Sequence, residues 1–405
     1  MAIDIDKIVD RKYQMTDGGR VCNIRQLYTE FSPNVDFEAL KNSDFFPALE
    51  KMMEPVLDVP DERSPEVMTY WAKRGMIKEF HGADVPMSWD EYEAKNGYRW
   101  HAEKFNLKQN EHKLWNSFVP VSAFQPENKG RKYPVVFALH GAGNNLFLVE
   151  GWGFVQEAAK REWIVIVPSL ELDDILEEIL EEAKKLYPID ESRVYAAGFS
   201  YGGWASNRLG NQRPDLFAAV GPCGAPMDNA YMKGDSDDRE PLPPFDGVPR
   251  APALNTYMPI INCYGDCDGG RFPFYDFYND KPFGLANMVG PADVVEGVNS
   301  WARVNHAPEI KLDDVMALKG REDITLAERQ TGIPATESCV EKSFIADGVQ
   351  FHTVDLISED GVARVRLLAE MNIPHWPTPE MIRQIFEFFS HFSRDPETKA
   401  SIYTA

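Results

Sequence analysis

Cysteine is scarce in this chain, with five residues in 405 (Cys22, Cys223, Cys263, Cys267 and Cys339). An odd count with a single close pair excludes a disulfide framework, and no spacing resembles a zinc site, so they read as reduced, buried thiols. Basic side chains are also in deficit, 42 Lys and Arg against 64 Asp and Glu, for a formal charge of −22. A phosphate backbone would be repelled rather than neutralised, which excludes nucleic acid as a partner. No apolar run approaches membrane-spanning length, so no membrane partner is expected. The start, Met1 to Val9, has neither the basic nor the long apolar region of a signal peptide, and a cytoplasmic protein is expected. Internal repeats and low-complexity tracts are absent too, which excludes solenoids and arrays.

What is present is length and a change of texture. A chain of 405 residues is long enough for one large α/β domain with an extension, or for two domains. Residues 1–115 are mixed and charged and are expected to form a mostly helical extension, with helices around Phe37–Lys41 and Ser64–Lys73. Ser64 and Pro65 fit an N-cap and a first-turn proline. No catalytic motif lies here, and His81, His101 and His112 read as surface or packing residues. The extension is expected to pack on the catalytic domain, at its entrance or at a homo-oligomer contact.

From about residue 116 to 400, short apolar runs alternate with amphipathic ones, the pattern of a mostly parallel sheet flanked by helices. Strands are expected at Val135–Leu139, Trp163–Val167, the run through Val194–Phe199, Phe217–Val220, Ile260–Tyr264 and Val365–Leu368. Between Leu172 and Leu186 apolar residues recur at helical spacing, with acids first and lysines last, as the helix dipole favours. Two insertions interrupt the pattern, at about 227–257 and 269–343. The second opens on Arg271-Phe-Pro-Phe-Tyr-Asp-Phe-Tyr278, aromatics that either pack beneath a loop or face substrate as a lid.

Chemistry concentrates at Gly198-Phe199-Ser200-Tyr201-Gly202-Gly203. An apolar strand precedes it and a helix-compatible stretch follows, the setting in which Gly-x-Ser-x-Gly makes a strained turn that presents a serine nucleophile. A serine hydroxyl needs a base, an acid that orients the base, and donors for the oxyanion. For the acid, Asp266 and Asp268 both follow the strand Ile260–Tyr264, and both are also ordinary turn residues. Remaining ligands of a calcium loop are missing around them. For the base, His375 stands in Ile373-Pro-His-Trp-Pro-Thr-Pro-Glu380, directly before a helix capped by Thr378 with Pro379 at its first position. His306 is its rival. His352 falls inside a strand-like run and His391 inside the apolar helix Ile382–Phe392. For the oxyanion, the small residues Gly141 and Ala142 after the strand ending at Leu139 join the backbone N–H of Tyr201, and the same Gly141–Gly143 run is equally a tight strand-to-helix turn. Trp376, Phe272 and Phe274 are the side chains assigned to substrate binding.

These blocks together resemble the polyhydroxybutyrate depolymerase and feruloyl esterase-like group of α/β-hydrolases. The resemblance rests on Tyr187-Pro-Ile-Asp190 through Ser200 to Val220, on His140-Gly141, on Gly265-x-x-Asp268, on Trp301 with Asn305, and on Pro374-His375-Trp376-Pro377 before Ile385–Phe389. It covers residues 115–395 and implies an α/β-hydrolase fold and cleavage of a small-molecule carboxylic ester through an acyl-serine, with no metal or organic cofactor. It also implies Asp268, rather than Asp266, as the triad acid beside Ser200 and His375. Secreted members carry leaders and disulfides that this chain does not show, which argues against an extracellular polymer as substrate. Ser200-Tyr201-Gly202-Gly203 also resembles the elbow of prolyl oligopeptidase-type peptidases, whose β-propeller some 115 residues cannot build. A non-catalytic binding protein of the same fold is the remaining alternative.

Overall fold

The structure is a computed structural model describing residues 12–14, 21–23, 106–112, 115–141, 149, 152–168, 176–225, 227, 256–265, 275–276, 281–282, 291–318, 333–346, 349–370 and 377–405, with isolated positions between 321 and 328. Two compact units divide the chain: Met1–Leu27 with Glu38–Asp190, and Tyr28–Phe37 with Glu191–Ala405.

In the first unit, β1 (Lys12–Gln14) pairs antiparallel with β2 (Val21–Asn23). The helices expected at Phe37–Lys41 and Ser64–Lys73 lie outside the described residues. Four further strands, β3 (Leu107–Glu111), β4 (Trp115–Pro120), β5 (Tyr133–Leu139) and β6 (Ile164–Pro168), run in the order β5-β6-β4-β3. The pair β5–β6 is parallel, and β4 is antiparallel to both of its neighbours. Every residue of β5 and β6 is buried, because their unbroken apolar runs suit strands covered on both faces. Helix α1 (Phe154–Arg161) buries Phe154, Val155 and Ala158, while Lys160 and Arg161 reach back to the buried Glu157 at 2.5 Å each. Helix α2 (Leu176–Leu186) buries Leu176, Ile179, Leu180 and Ala183, the spacing that one face of a helix demands. His112 proves to be a packing residue: it stacks on Trp115 at 3.7 Å and bonds the Tyr187 hydroxyl at 2.9 Å. Burial lowers its pKa against the opposing pull of Glu182.

The second unit holds β7 (Ile189–Phe199, whose first two residues belong to the first unit), α3 (Tyr201–Gln212), β8 (Ala219–Cys223) and β9 (Ile260–Gly265). After a small antiparallel pair, β10 (Tyr275–Asp276) with β11 (Lys281–Pro282), come α4 (Pro291–Val304) and α5 (Leu312–Met316). Next are β12 (Cys339–Ala346), β13 (Val349–Ile357), β14 (Ala363–Glu370) and α6 (Pro379–Ser390), then the hairpin β15 (Phe392–Arg394) with β16 (Ser401–Tyr403). The sheet order is β12-β13-β14-β9-β8-β7. Strands β7, β8, β9 and β14 are parallel, and β13 and β12 continue antiparallel.

Helices cover both faces of this sheet. A Cβ on Gly221 would meet Ile385 of α6 at 2.7 Å, whereas one on Gly210 of α3 would meet Val220 at 2.8 Å and Trp301 of α4 at 2.9 Å. Successive strand residues point to opposite faces, so α6 lies on the Gly221 side and α3 with α4 on the Val220 side. Tyr195 stacks on Phe389 at 4.8 Å on the α6 side. The chain thus has an α/β-hydrolase fold, a mostly parallel sheet flanked by helices.

The strands expected from sequence are present, while the long insertion read at 269–343 contains α4, α5 and most of β12. His391 sits just past α6 rather than within it, where it caps the helix end and bonds the Thr404 carbonyl at 2.9 Å. The C-terminal hairpin is held by Arg394, which is 1 % exposed. It donates to the carbonyls of Phe217 (2.8 Å), Tyr257 (2.9 Å) and Lys399 (2.7 Å) and to the Thr256 hydroxyl (3.1 Å). Burial pulls its pKa down to about 10, still a cation at neutral pH. Arg394→Met should cost about 3–5 kcal/mol, because it strands several buried acceptors at once. Denaturant unfolding checks this, and a loss under about 1 kcal/mol would mean that water replaces the guanidinium.

Candidate active site

The elbow is built as its sequence demands. The last six residues of β7 are buried, and the chain then turns at Ser200 with φ 53° and ψ −113° before entering α3. A non-glycine residue at positive φ costs about 1–3 kcal/mol, so its surroundings must over-determine it. They do so through two bonds: the Ser200 N–H donates to the Cys223 carbonyl of β8 at 2.9 Å, and its own carbonyl accepts the first helical bond from the Trp204 N–H at 3.0 Å. Gly203 permits the crossing, since a Cβ there would lie 2.6 Å from that Cys223 oxygen and 2.7 Å from the Ala225 Cβ. The Ser206 hydroxyl closes the first turn from behind by donating to the Gly202 carbonyl at 2.8 Å. Ser200 is left half-buried at the positive end of a twelve-residue helix, with Tyr201 at the first helical position, where backbone N–H groups point along the axis instead of into the ladder.

The parallel strands also fix where the loops that carry the expected acid and base begin. Phe199 is paired with Cys223, Cys223 with Cys263, and Gly265 with Glu370. Neighbouring strands stand about 4.8 Å apart, so β7, β8, β9 and β14 end side by side on one edge. Asp266 and Asp268 follow directly from β9, and His375 follows five residues after β14 ends. Asp266, Asp268, Phe272, Phe274, His375, Trp376 and Ala142 lie outside the described residues. Gly141 belongs to the first unit; it is buried, and its carbonyl is bonded by His140 Nδ1 at 2.9 Å.

The rival groups have other employment. His306 sits in a left-handed turn (φ 48°) after α4, paired with Glu359 at 3.1 Å and edge-on to Tyr257. His352 is 1 % exposed on β13 with Nδ1 bonded to the Ser343 hydroxyl at 2.7 Å, and burial lowers its pKa. Cys223 and Cys263 are buried free thiols beneath the elbow. Burial first, then the Cys223 thiol and the Glu370 charge, push the Cys263 pKa well up, so it stays protonated and is no nucleophile. Among the described residues no group of three or more His, Cys, Asp or Glu side chains is placed to hold a metal.

Sequence reasoning missed Glu370. It ends β14, is 1 % exposed, and accepts a hydrogen bond from the Thr378 hydroxyl across the span that carries His375. An acid directly after the apolar run Leu367-Leu-Ala369 was the available signal.

Comparison with known proteins adds four observations. A profile of the prolyl oligopeptidase family matches residues 168–253, a stretch that includes Ser200. NocK of Nocardia uniformis subsp. tsuyamanensis, named as an esterase, is 33 % identical over 121 residues, 26 % of this chain and 33 % of that protein. A bifunctional acetylxylan esterase/xylanase of Neocallimastix patriciarum is 28 % identical over 138 residues, 31 % of this chain and 20 % of that protein. The chain thus spans a third or less of the curated relatives it matches. Among solved structures, a feruloyl esterase module from Clostridium thermocellum superposes with a TM-score of 0.37 at 12 % identity, over 70 % of this chain and 86 % of that one.

Proposed function

We propose that this protein is a serine hydrolase that cleaves small carboxylic esters. The observation that carries the reading is the strained Ser200 turn, φ 53° between a buried strand and a helix start, held by backbone bonds at 2.9 and 3.0 Å. Strain of that kind is retained where it presents a side chain for chemistry. In this reading His375 takes the Ser200 proton as the hydroxyl attacks the ester carbonyl, and Asp268 orients the imidazole. The oxyanion is met by backbone N–H groups of Tyr201, Gly141 and Ala142. Collapse breaks the ester C–O bond, the imidazolium returns its proton to the departing alcohol, and water then releases the acid from Ser200 by the same route. Trp376, Phe272 and Phe274 supply an apolar wall for the acyl or alcohol group. The similarity to esterases supports an ester as substrate, and free thiols at Cys223, Cys263 and Cys339 support a reducing, cytoplasmic setting.

The matching prolyl oligopeptidase profile favours one second reading, peptide hydrolysis by the same serine. A fluorophosphonate probe should label wild type at Ser200, and p-nitrophenyl esters should be turned over while p-nitroanilide peptides are not. Absence of labelling of folded protein sinks the enzyme reading, and preference for the anilides hands it to the peptidase. Ester turnover should fall as pH drops below about 6–7, where an imidazole base becomes protonated. A profile flat to about pH 4 excludes histidine as base.

A further inference from the structure

The span that carries His375 leaves the sheet at Glu370 and enters α6 at Thr378, and these two described residues are joined directly. Thr378 Oγ1 donates to Glu370 Oε2, and the same oxygen accepts the Met381 N–H at 3.1 Å as the cap of α6. Both side chains are almost fully buried, at 1 % and 4 % exposure. Glu370 is held in the sheet by its pairing with Gly265 on β9 and with Phe351 on β13. Thr378 is held by α6, whose Ile385 and Phe389 press on Gly221 of β8. One hydroxyl therefore ties the last residue of a central strand to the first turn of a packed helix, with seven residues between them.

A plain N-cap needs only the bond from Met381; it does not need a carboxylate taken out of water. Burying an acid is costly unless it is well bonded, and an O–H···O⁻ bond is among the stronger ones a protein makes. We propose that Glu370 and Thr378 are positioning residues for the base, a clip that closes the His375 span at both feet. The inference rests on the assignment of His375 as base. The role assigned to Glu370 is to hold the span that carries the base, where a displacement of about 1 Å lowers turnover on the order of 100-fold. The same carboxylate stands opposite Gly265, from which the Asp268 loop departs, so a single buried acid sits at the root of both partner loops.

The test uses the full chain with Glu370→Met, which removes the acceptor but leaves the cap, and Glu370→Gln, which keeps an acceptor of the same shape. Thr378→Val and Thr378→Ser make the matching pair from the other side. Expected for Glu370→Met is a fall in kcat on a p-nitrophenyl ester of about 10–100-fold with KM changed less than about 3-fold, and recovery of most of it in the Gln variant. Thr378→Val should fall at least as far, since it also loses the cap bond from Met381, and Glu370→Met with Thr378→Val should lose no more than Thr378→Val alone, because the bond between the two residues is already broken. Hydrogen exchange of the 371–377 amides supplies a readout that needs no activity, and should quicken in Glu370→Met and return toward wild type in Glu370→Gln. Unchanged exchange in folded Glu370→Met overturns the clip. Quickened exchange with unchanged kcat overturns its role in positioning the base. A wild type that neither labels with fluorophosphonate nor hydrolyses esters overturns the esterase reading, and the positioning role with it, while the exchange data still decide whether the clip exists.

Discussion

Replacing Ser200 by alanine should leave the protein folded and lower ester turnover by about 10⁴–10⁶-fold, the range seen when a triad nucleophile is removed. The fold survives because alanine inherits the strain of φ 53° without adding to it, and neither backbone bond that fixes the turn involves the side chain. Turnover falls because, among the described residues, neither thiol beside the turn can attack: Cys223 is buried beneath it, and the Cys263 thiol is held protonated by burial. His375→Ala should lose a similar factor, and the double variant should lose no more, since base and nucleophile act as one unit. Asp268→Asn should cost about 10⁴-fold through misorientation of the imidazole, and Asp266→Asn far less. Loss in Asp266→Asn with activity kept in Asp268→Asn would move the acid two residues upstream, and turnover persisting in Ser200→Ala would remove the serine mechanism altogether.

The elbow was legible because every part of it is local. Buried strand, small residues and helix start follow one another in sequence, and the φ of Ser200 and the close approach at Gly203 agree with that order. Central strands were legible for the same reason, as apolar runs that suit burial on both faces. Features that depend on distant partners were not. Strand β12 reads Cys-Val-Glu-Lys-Ser-Phe-Ile-Ala, with charges mid-strand that the chain alone assigns to a loop; only pairing with β13 from Cys339–Leu356 to Ala346–Val349 makes it a strand. Arg394 looks like a surface arginine near the terminus, yet its acceptors lie up to 177 residues away. Glu370 likewise gains meaning only from Thr378, eight residues on and across a strand-to-helix passage. Asp268 and His375 are proposed from sequence and lie outside the described residues; the structure describes the strand ends that precede them, Gly265 and Glu370.

Gly203→Ala should damage stability and turnover together, and by more than its single methyl group suggests. The added Cβ would stand 2.6 Å from the Cys223 carbonyl oxygen, 2.7 Å from the Ala225 Cβ and 3.2 Å from the Gly198 carbonyl oxygen. Two of those three atoms are backbone of β8 and β7, which cannot rotate aside as a long side chain does. Helix α3 must therefore withdraw from the sheet. Overpacking of this kind costs about 1–3 kcal/mol. The retreat also reaches Ser200, because the Cys223 oxygen under pressure is the one that accepts its N–H at 2.9 Å, and α3 begins at its carbonyl. A shift of about 1 Å there should lower kcat on the order of 100-fold and slow fluorophosphonate labelling to match. Gly361→Ala is the control: that residue lies at φ +83° with nothing within 4 Å of the new methyl, so about 1–2 kcal/mol of backbone strain is expected with turnover unchanged. Equal losses of stability in the two variants, with kcat preserved in both, would show that the elbow tolerates displacement of α3 and that contact between helix and strand does not set the position of the nucleophile.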